Sequence, residues 1–287
     1  MPYATEENLT DLALKQWEAC CSPRLRQIMQ ALIKHLHGFV RDVDLKEEEW
    51  LAAMIWLART GKMSTEKRNE FILFSDVLGV SMLVDAVNHR FPSGATPSTV
   101  MGPFHIEDSP EMPMGSNMAQ GYGGEPCFLV GTVRDLEGQP VEGAQLDIWQ
   151  ADAEGLYEAQ LGKEEPYLRA IFHTGPDGKY VIRTVAPPGY SIPMDGTVGE
   201  LLKQTDISHY RPAHIHFLIS APGYHTLVTH LFKKDTRYIE SDVVFGVKEA
   251  LIAEFKQQPA GETPTGEISS KPFLVVKYDF TLSKSKS

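Results

Sequence analysis

Two histidines one residue apart, His214 and His216, lie in the run Arg211-Pro-Ala-His-Ile-His-Phe-Leu-Ile-Ser-Ala221. Apolar and β-branched neighbours make this run a strand. Side chains alternate faces along a strand, so the two imidazoles point the same way and can share one metal ion. Neutral imidazole is the commonest protein metal ligand. Taken alone, such a pair is more often exposed or hydrogen-bonded than metal-bound. Two tyrosines upstream sit in equally unusual settings. Tyr157 ends the segment Gln145-Leu-Asp-Ile-Trp-Gln-Ala-Asp-Ala-Glu-Gly-Leu-Tyr157, and Tyr190 follows Val185-Ala-Pro-Pro-Gly.

These stretches closely resemble the intradiol ring-cleavage dioxygenases, in which two Tyr and two His bind a non-haem ferric ion. Matched motif by motif, the resemblance implies that Tyr157, Tyr190, His214 and His216 hold one Fe(III) per subunit. The physics suits that set. Ferric iron is a small, highly charged acceptor for hard phenolate oxygen. Its charge would keep each tyrosine ionised, although a free tyrosine has a pKa of about 10. The implied reaction is O2-dependent cleavage of a catechol-type ring between its two adjacent hydroxylated carbons, giving a dicarboxylic acid. Within it, Tyr190 on a mobile Pro-Gly loop is the ligand expected to leave as the diol binds, accepting a substrate proton. Tyr157 stays. Arg211, three residues before His214, is expected beside the ring, where fixed positive charge stabilises an electron-rich carbon. Its alternative use is a surface salt bridge.

Substrate choice is expected to rest on the pocket wall. Asp76 lies amid apolar neighbours in Leu73-Phe-Ser-Asp76, where an acid is awkward without a partner. Members of the family that cleave hydroxyquinol, 1,2,4-trihydroxybenzene, resemble this sequence in carrying Asp there. A carboxylate could accept a hydrogen bond from the third hydroxyl, and an analogue lacking it would leave the acceptor unpaired. Pairing with Arg68, His89 or a backbone group is the alternative. His230, in Thr226-Leu-Val-Thr-His-Leu-Phe232, also resembles the hydroxyquinol-cleaving members, whereas catechol-cleaving ones often carry glutamine. It is expected near the site as a donor to a ligand, or else as a satisfied structural histidine. Leu73, Met101, Gly102, Pro103, Phe104, Ile192 and Pro193 are further wall candidates. The implied product is 3-hydroxy-cis,cis-muconate or maleylacetate.

Bulk properties describe an ordinary soluble globular protein. The 287 residues are 42% hydrophobic and 23% charged, and the net charge of −11 argues against nucleic acid as a partner. Cys20, Cys21 and Cys127 form no disulfide framework or zinc spacing. The amino terminus lacks a signal-peptide pattern, and no apolar run approaches the ~20 residues of a membrane span. A cytoplasmic location is expected.

The elements needed to position these residues divide into two textures, an α+β arrangement. Residues 1–100 read as a helical region and 101–287 as a β-sandwich. Ser22-Pro23 caps a first helix with Leu25, Ile28, Met29, Leu32 and Leu36 on one face. Asp44 and Glu47 suggest a capping box opening a second, with Gly61 as its stop. A third is expected from Thr65 to about Asn88. Its run Phe71–Val84 is apolar over more than one face, so it must be buried against a second subunit or against the β domain of its own chain. The resemblance favours the subunit contact. It implies a homodimer with a phospholipid in an apolar helical tunnel.

After Pro92–Ser98, a breaker-rich connector, strands are expected at Phe128–Arg134, Gln145–Gln150, Tyr180–Thr184, Ala213–Ser220, Thr226–Phe232 and Phe273–Leu282. Turns are expected at Glu137-Gly138, Asp177-Gly178 and Pro222-Gly223. Residues 186–212, rich in proline and glycine, suggest a long loop carrying Tyr190. The rival readings are a catechol or chlorocatechol dioxygenase, a metal-free β-sandwich binding module suggested by Gly131–Ala144, and a zinc hydrolase.

Overall fold

The computed structural model describes residues 3–66, 68–163 and 165–285. The chain forms two compact units, Met1–Arg59 and Thr60–Ser287. No helix among the described residues is long and apolar enough to cross a membrane.

The first unit contains helices α1 (Leu9–Gln16), α2 (Pro23–Asp42) and most of α3 (Glu47–Met63). Ser22 caps α2 as expected, its hydroxyl accepting the Leu25 amide at 3.3 Å. The expected face of α2 is present, but Leu25, Ile28, Leu32 and Leu36 are exposed within this chain. Asp44 does not cap α3. Its backbone takes a left-handed conformation, and Glu49 reaches back to the Lys46 amide at 3.0 Å, starting the helix later. Gly61 does not stop α3 either, since one interior glycine costs only about 1 kcal/mol.

The second unit opens with two helices where one was expected, α4 (Glu70–Val77) and α5 (Val80–Asn88). Asn69 caps α4 by accepting the Ile72 amide. Gly79, with φ +71°, breaks the run. The inward face buries Glu70, Leu73, Asp76 and Asp85. The outward face leaves Leu78, Leu83, Val84 and Val87 exposed, so the chain alone buries this apolar run on one side only.

Fourteen strands follow among the described residues. They are β1 (Pro126–Asp135), β2 (Gln145–Trp149), β3 (Arg169–His173), β4 (Lys179–Val185), β5 (Tyr190–Ser191), β6 (Tyr210–Arg211) and β7 (His214–Ser220). After them come β8 (Leu227–Lys233), β9 (Ile252–Ala253), β10 (Phe255–Gln258), β11 (Gly261–Glu262), β12 (Ile268–Ser269), β13 (Phe273–Lys277) and β14 (Phe280–Leu282). One sheet runs β10-β13-β1-β14 with β4 also paired to β1; the other runs β3-β2-β7-β8-β9. Residues of both, including Leu129, Val133, Leu146, Ile148, Ile215, Phe217 and Ile219, share one core. This is the expected sandwich, and all three expected turns form at Gly138, Gly178 and Gly223, each with positive φ. The strand expected over Phe273–Leu282 is interrupted at Tyr278-Asp279.

The segment 186–212 is not a simple loop. It holds a turn of helix at Thr197–Leu202 between β5 and β6, which pair with each other. Tyr190 and Arg211 are direct cross-strand partners in that ribbon. Glu70 at the start of α4 secures it, accepting the Val198 amide at 3.1 Å, while Arg68 spans Glu70 and Asp195.

Gly131 on β1 has no room for a side chain, because a Cβ there would lie 1.7 Å from the Tyr278 carbonyl oxygen. Gly131→Ala is expected to cost on the order of 3 kcal/mol of stability in urea unfolding; an unchanged midpoint would contradict this close approach.

Candidate metal centre

The centre lies on the outer face of the sheet containing β7. Ile215, Phe217 and Ile219 enter the sandwich core, so alternation turns His214 and His216 the other way. In register across the sheet, His216 is flanked by Trp149 of β2 and His230 of β8. The Trp149 indole stacks on the His216 ring at 4.7 Å and 13°. All three imidazoles are buried.

Tyr157 and Tyr190 complete the group. Tyr157 starts a short helical turn, Glu158–Leu161, with its amide held by the Gln160 side chain at 3.1 Å and its ring stacked on Phe104. Tyr190 approaches through the gap left by Gly155, where a Cβ would sit 2.6 Å from the Tyr190 Cβ. Its backbone pairs with β6, so Tyr190 stands on a two-stranded ribbon where a long loop was expected.

Four donor atoms converge. The Tyr157 hydroxyl lies 3.1 Å from His216 Nε2 and 3.3 Å from the Tyr190 hydroxyl. His214 Nε2 lies 3.2 Å from His216 Nε2 and 3.5 Å from the Tyr190 hydroxyl. Such edges are what nitrogen and oxygen donors about 2 Å from a common ion leave between one another. The donor set therefore fits a metal.

The tautomers agree. His214 Nδ1 donates to the Pro212 carbonyl at 2.7 Å, which leaves Nε2 a lone pair. His216 Nδ1 lies 2.6 Å from His230 Nε2. For His216 Nε2 to ligate, its Nδ1–H must donate, so His230 Nε2 accepts and the His230 proton sits on Nδ1, an atom without a partner. In the ligating tautomer His230 is therefore an acceptor, where a donor was expected. Its nitrogens lie close enough to group it with His214 and His216 as possible ligands, yet Nε2 faces the far side of His216. Burial, then Arg211, pushes the His214 imidazole down to about 3, and burial first also lowers His216 and His230. They are neutral, as ligands must be. Burial raises both tyrosine hydroxyls, with Arg211 opposing it, so ionising them requires added positive charge at the centre.

Arg211 is 3% exposed and is not the surface ion pair of the alternative reading. Its Nη1 lies 3.0 Å from His214 Nε2, and its Nε and Nη2 donate to Asp242 at 2.9 and 3.1 Å. Asp242 escaped the sequence reading, since an acid before Val243-Val-Phe carries no motif. A second buried pair, Arg169–Glu158, was also missed; it ties the turn after Tyr157 to β3, and Arg169 Nη2 donates to the Phe104 carbonyl at 3.0 Å.

The wall candidates are distributed as follows. Gly102 abuts the site, a Cβ there falling 3.3 Å from His216 Cε1, and Phe104 covers Tyr157. Leu73, Ile192 and Pro193 are buried; Pro103 is partly buried and Met101 largely exposed. Asp76 is 1% exposed and does not pair with Arg68 or His89, which bind Glu70 and Asp195, and Asp85, respectively. Ser81 lies beside the carboxylate and favours its charged form, but Oδ1 has no hydrogen-bond partner. Burial pushes its pKa up to about 6, against the opposing effects of Ser81 and Arg211.

A family model described as "Dioxygenase" matches residues 100–284, and one described as "Catechol dioxygenase N terminus" matches residues 22–96. The chain belongs to the intradiol ring-cleavage dioxygenases, as the donor set and the sandwich suggested. It is 46% identical to a hydroxyquinol 1,2-dioxygenase of Rhizobium sp., over 98% of this chain and 97% of that one. It is also 46% identical to a 6-chlorohydroxyquinol 1,2-dioxygenase of Cupriavidus pinatubonensis, over 89% and 93%. Among solved structures, a hydroxyquinol 1,2-dioxygenase from Pseudomonas putida superposes with a TM-score of 0.86 at 44% identity, covering 98% of this chain and 99% of that one. Family membership sets aside the metal-free binding module and the zinc hydrolase.

The Asp76 carboxylate titrates higher in the fold than in the unfolded chain. Ionising it therefore costs stability, fully above about pH 6 and not at all below its ordinary value of 3.8. Asp76→Asn is expected to stabilise the fold by on the order of 3 kcal/mol at pH 8, the gain vanishing as pH falls below 4. Thermal denaturation at both pH values checks this; a gain independent of pH would contradict it.

Proposed function

We propose that this enzyme cleaves hydroxyquinol with O2 between its adjacent hydroxylated carbons, using one Fe(III) per subunit held by Tyr157, Tyr190, His214 and His216. The observation that carries the substrate reading is Asp76, a buried carboxylate with one unpartnered oxygen. The names of the relatives described above support the same substrate. Those four residues would hold the ferric ion, which would supply Lewis acidity towards the diol and one-electron chemistry towards O2.

The chain's own residues do the rest. Tyr190 accepts a proton from an incoming hydroxyl, and its proximity to Arg211 favours the ionised phenol from which it acts. Tyr157, pinned between Phe104 and the Gln160-held turn, keeps its position. Arg211 presents its Nη1 edge towards the ring, where positive charge stabilises the electron-rich carbon. His230 accepts from His216 and fixes the ligating tautomer. Asp76 accepts from the third hydroxyl, with Leu73, Met101, Gly102, Pro103, Phe104, Ile192 and Pro193 as the wall.

Residues 101–287 form the catalytic domain in this proposal, and residues 1–100 a helical region through which a cytoplasmic homodimer assembles and holds a phospholipid. The exposed apolar face of α4 and α5 supports the dimer.

Tyr157→Phe and His216→Ala are each expected to abolish iron binding, measured as bound iron per subunit; full iron content in either would remove that residue from the ligand set. Asp76→Ala is expected to lower kcat/KM for hydroxyquinol by at least ~100-fold and that for catechol by less than ~10-fold. Equal losses would show that Asp76 does not read the third hydroxyl.

A further inference from the structure

We propose that Asp242 is a positioning residue for ring cleavage: through its grip on two adjacent nitrogens of Arg211 it turns Nη1 to face the reacting ring. The proposal rests on the functional reading above. A guanidinium has five N–H donors in a rigid plane, so fixing two adjacent nitrogens fixes the third. Asp242 accepts from Nε at 2.9 Å and Nη2 at 3.1 Å, and Nη1 then points at the donor cluster, 3.0 Å from His214 Nε2.

Asp242 is itself held. Its Oδ2 accepts the Gly246 amide at 3.1 Å and its Oδ1 the Val244 amide at 3.4 Å. Burial works against its charge, but Arg211 beside it holds the carboxyl below its usual range. The loop also carries unusual backbone. Among the described residues five non-glycines have positive φ, and Asp235, Tyr238 and Phe245 fall in this one stretch. Bulky side chains take that conformation only where their surroundings over-determine it, and such strain gathers at functional sites. Gly246 leaves no slack. A Cβ there would lie 3.0 Å from Arg211 Nη2 and 3.1 Å from Asp242 Oδ2, although its φ is outside the left-handed region. The loop, the carboxylate and the guanidinium form one packed unit behind the site.

The test compares the parent enzyme with Asp242→Asn, Arg211→Met, the double variant and Gly246→Ala, each assayed for bound iron, kcat and KM. Asn cannot offer two acceptors to the fork. Asp242→Asn is expected to lower kcat at least ~30-fold with iron content kept and KM within about threefold, since small misplacements of a charge cost rate rather than binding. In the Arg211→Met background it should cost no further rate. Gly246→Ala, which keeps every charge and presses on Nη2, should lower kcat in the same pattern and serves if Asp242→Asn does not fold. Losses that multiply in the double variant, or a kcat within twofold of the parent for Asp242→Asn or Gly246→Ala, would overturn the proposal.

Thermal unfolding of the same set is independent of turnover. The double variant should melt above Arg211→Met, which leaves the Asp242 charge buried and unpaired; the opposite order would overturn the pairing. A parent enzyme that cleaves no ring would sink the functional reading alone, and the melting order would still decide whether Asp242 holds Arg211.

Discussion

The imidazoles of His214 and His216 are buried away from water, and every proton and lone pair on them has to be met by the protein or by a ligand. Burying a polar group unmet costs several times what a hydrogen bond returns. The Pro212 carbonyl meets one Nδ1 and His230 the other, which turns both Nε2 lone pairs towards two buried hydroxyls, with Arg211 Nη1 donating to that of His214. That arrangement demands an interior strand. On β7, flanked by β2 and β8, cross-strand neighbours supply Trp149 on one side of His216 and His230 on the other. An edge strand could supply only one.

The surrounding charges obey the same constraint at higher stakes. Arg211–Asp242 and Arg169–Glu158 are buried ion pairs, and such pairs contribute little net stability because desolvation offsets their attraction. Their value here is geometric. One orients the guanidinium beside the centre, and the other ties the Tyr157 turn to β3 and the Phe104 backbone. Asp76 stands apart, with one oxygen satisfied by nothing in the protein. A carboxylate kept in that state destabilises the fold at neutral pH, which fits a group whose partner arrives with the substrate.

Much of this was legible in the sequence, and the reasons differ by element. Period-two alternation around His214 and His216 and the turn glycines located β1, β2, β4, β7 and β8, because half-buried strands leave a strong pattern. β3, Arg169–His173, carries an arginine and a histidine at its ends and lies between charged and glycine-rich stretches, so it leaves little pattern. Helix ends were less legible. Gly79 breaks the apolar run after Thr65, and the choice of Lys46 over Asp44 depends on Glu49 folding back, which propensity does not reveal. The Tyr190 segment looked like a loop since its prolines and glycines obscure a two-residue ribbon. Asp242 was invisible for a deeper reason: 31 residues separate it from Arg211, and only the folded chain brings the fork and the carboxylate together.

Initial O2 uptake by the iron-loaded protein, with hydroxyquinol and with catechol, tests the central claim most directly once spontaneous hydroxyquinol oxidation is subtracted. The account predicts one O2 consumed per ring and a strong preference for hydroxyquinol. A preference for catechol would contradict the role of Asp76, and no enzyme-dependent uptake with either would contradict the catalytic reading itself.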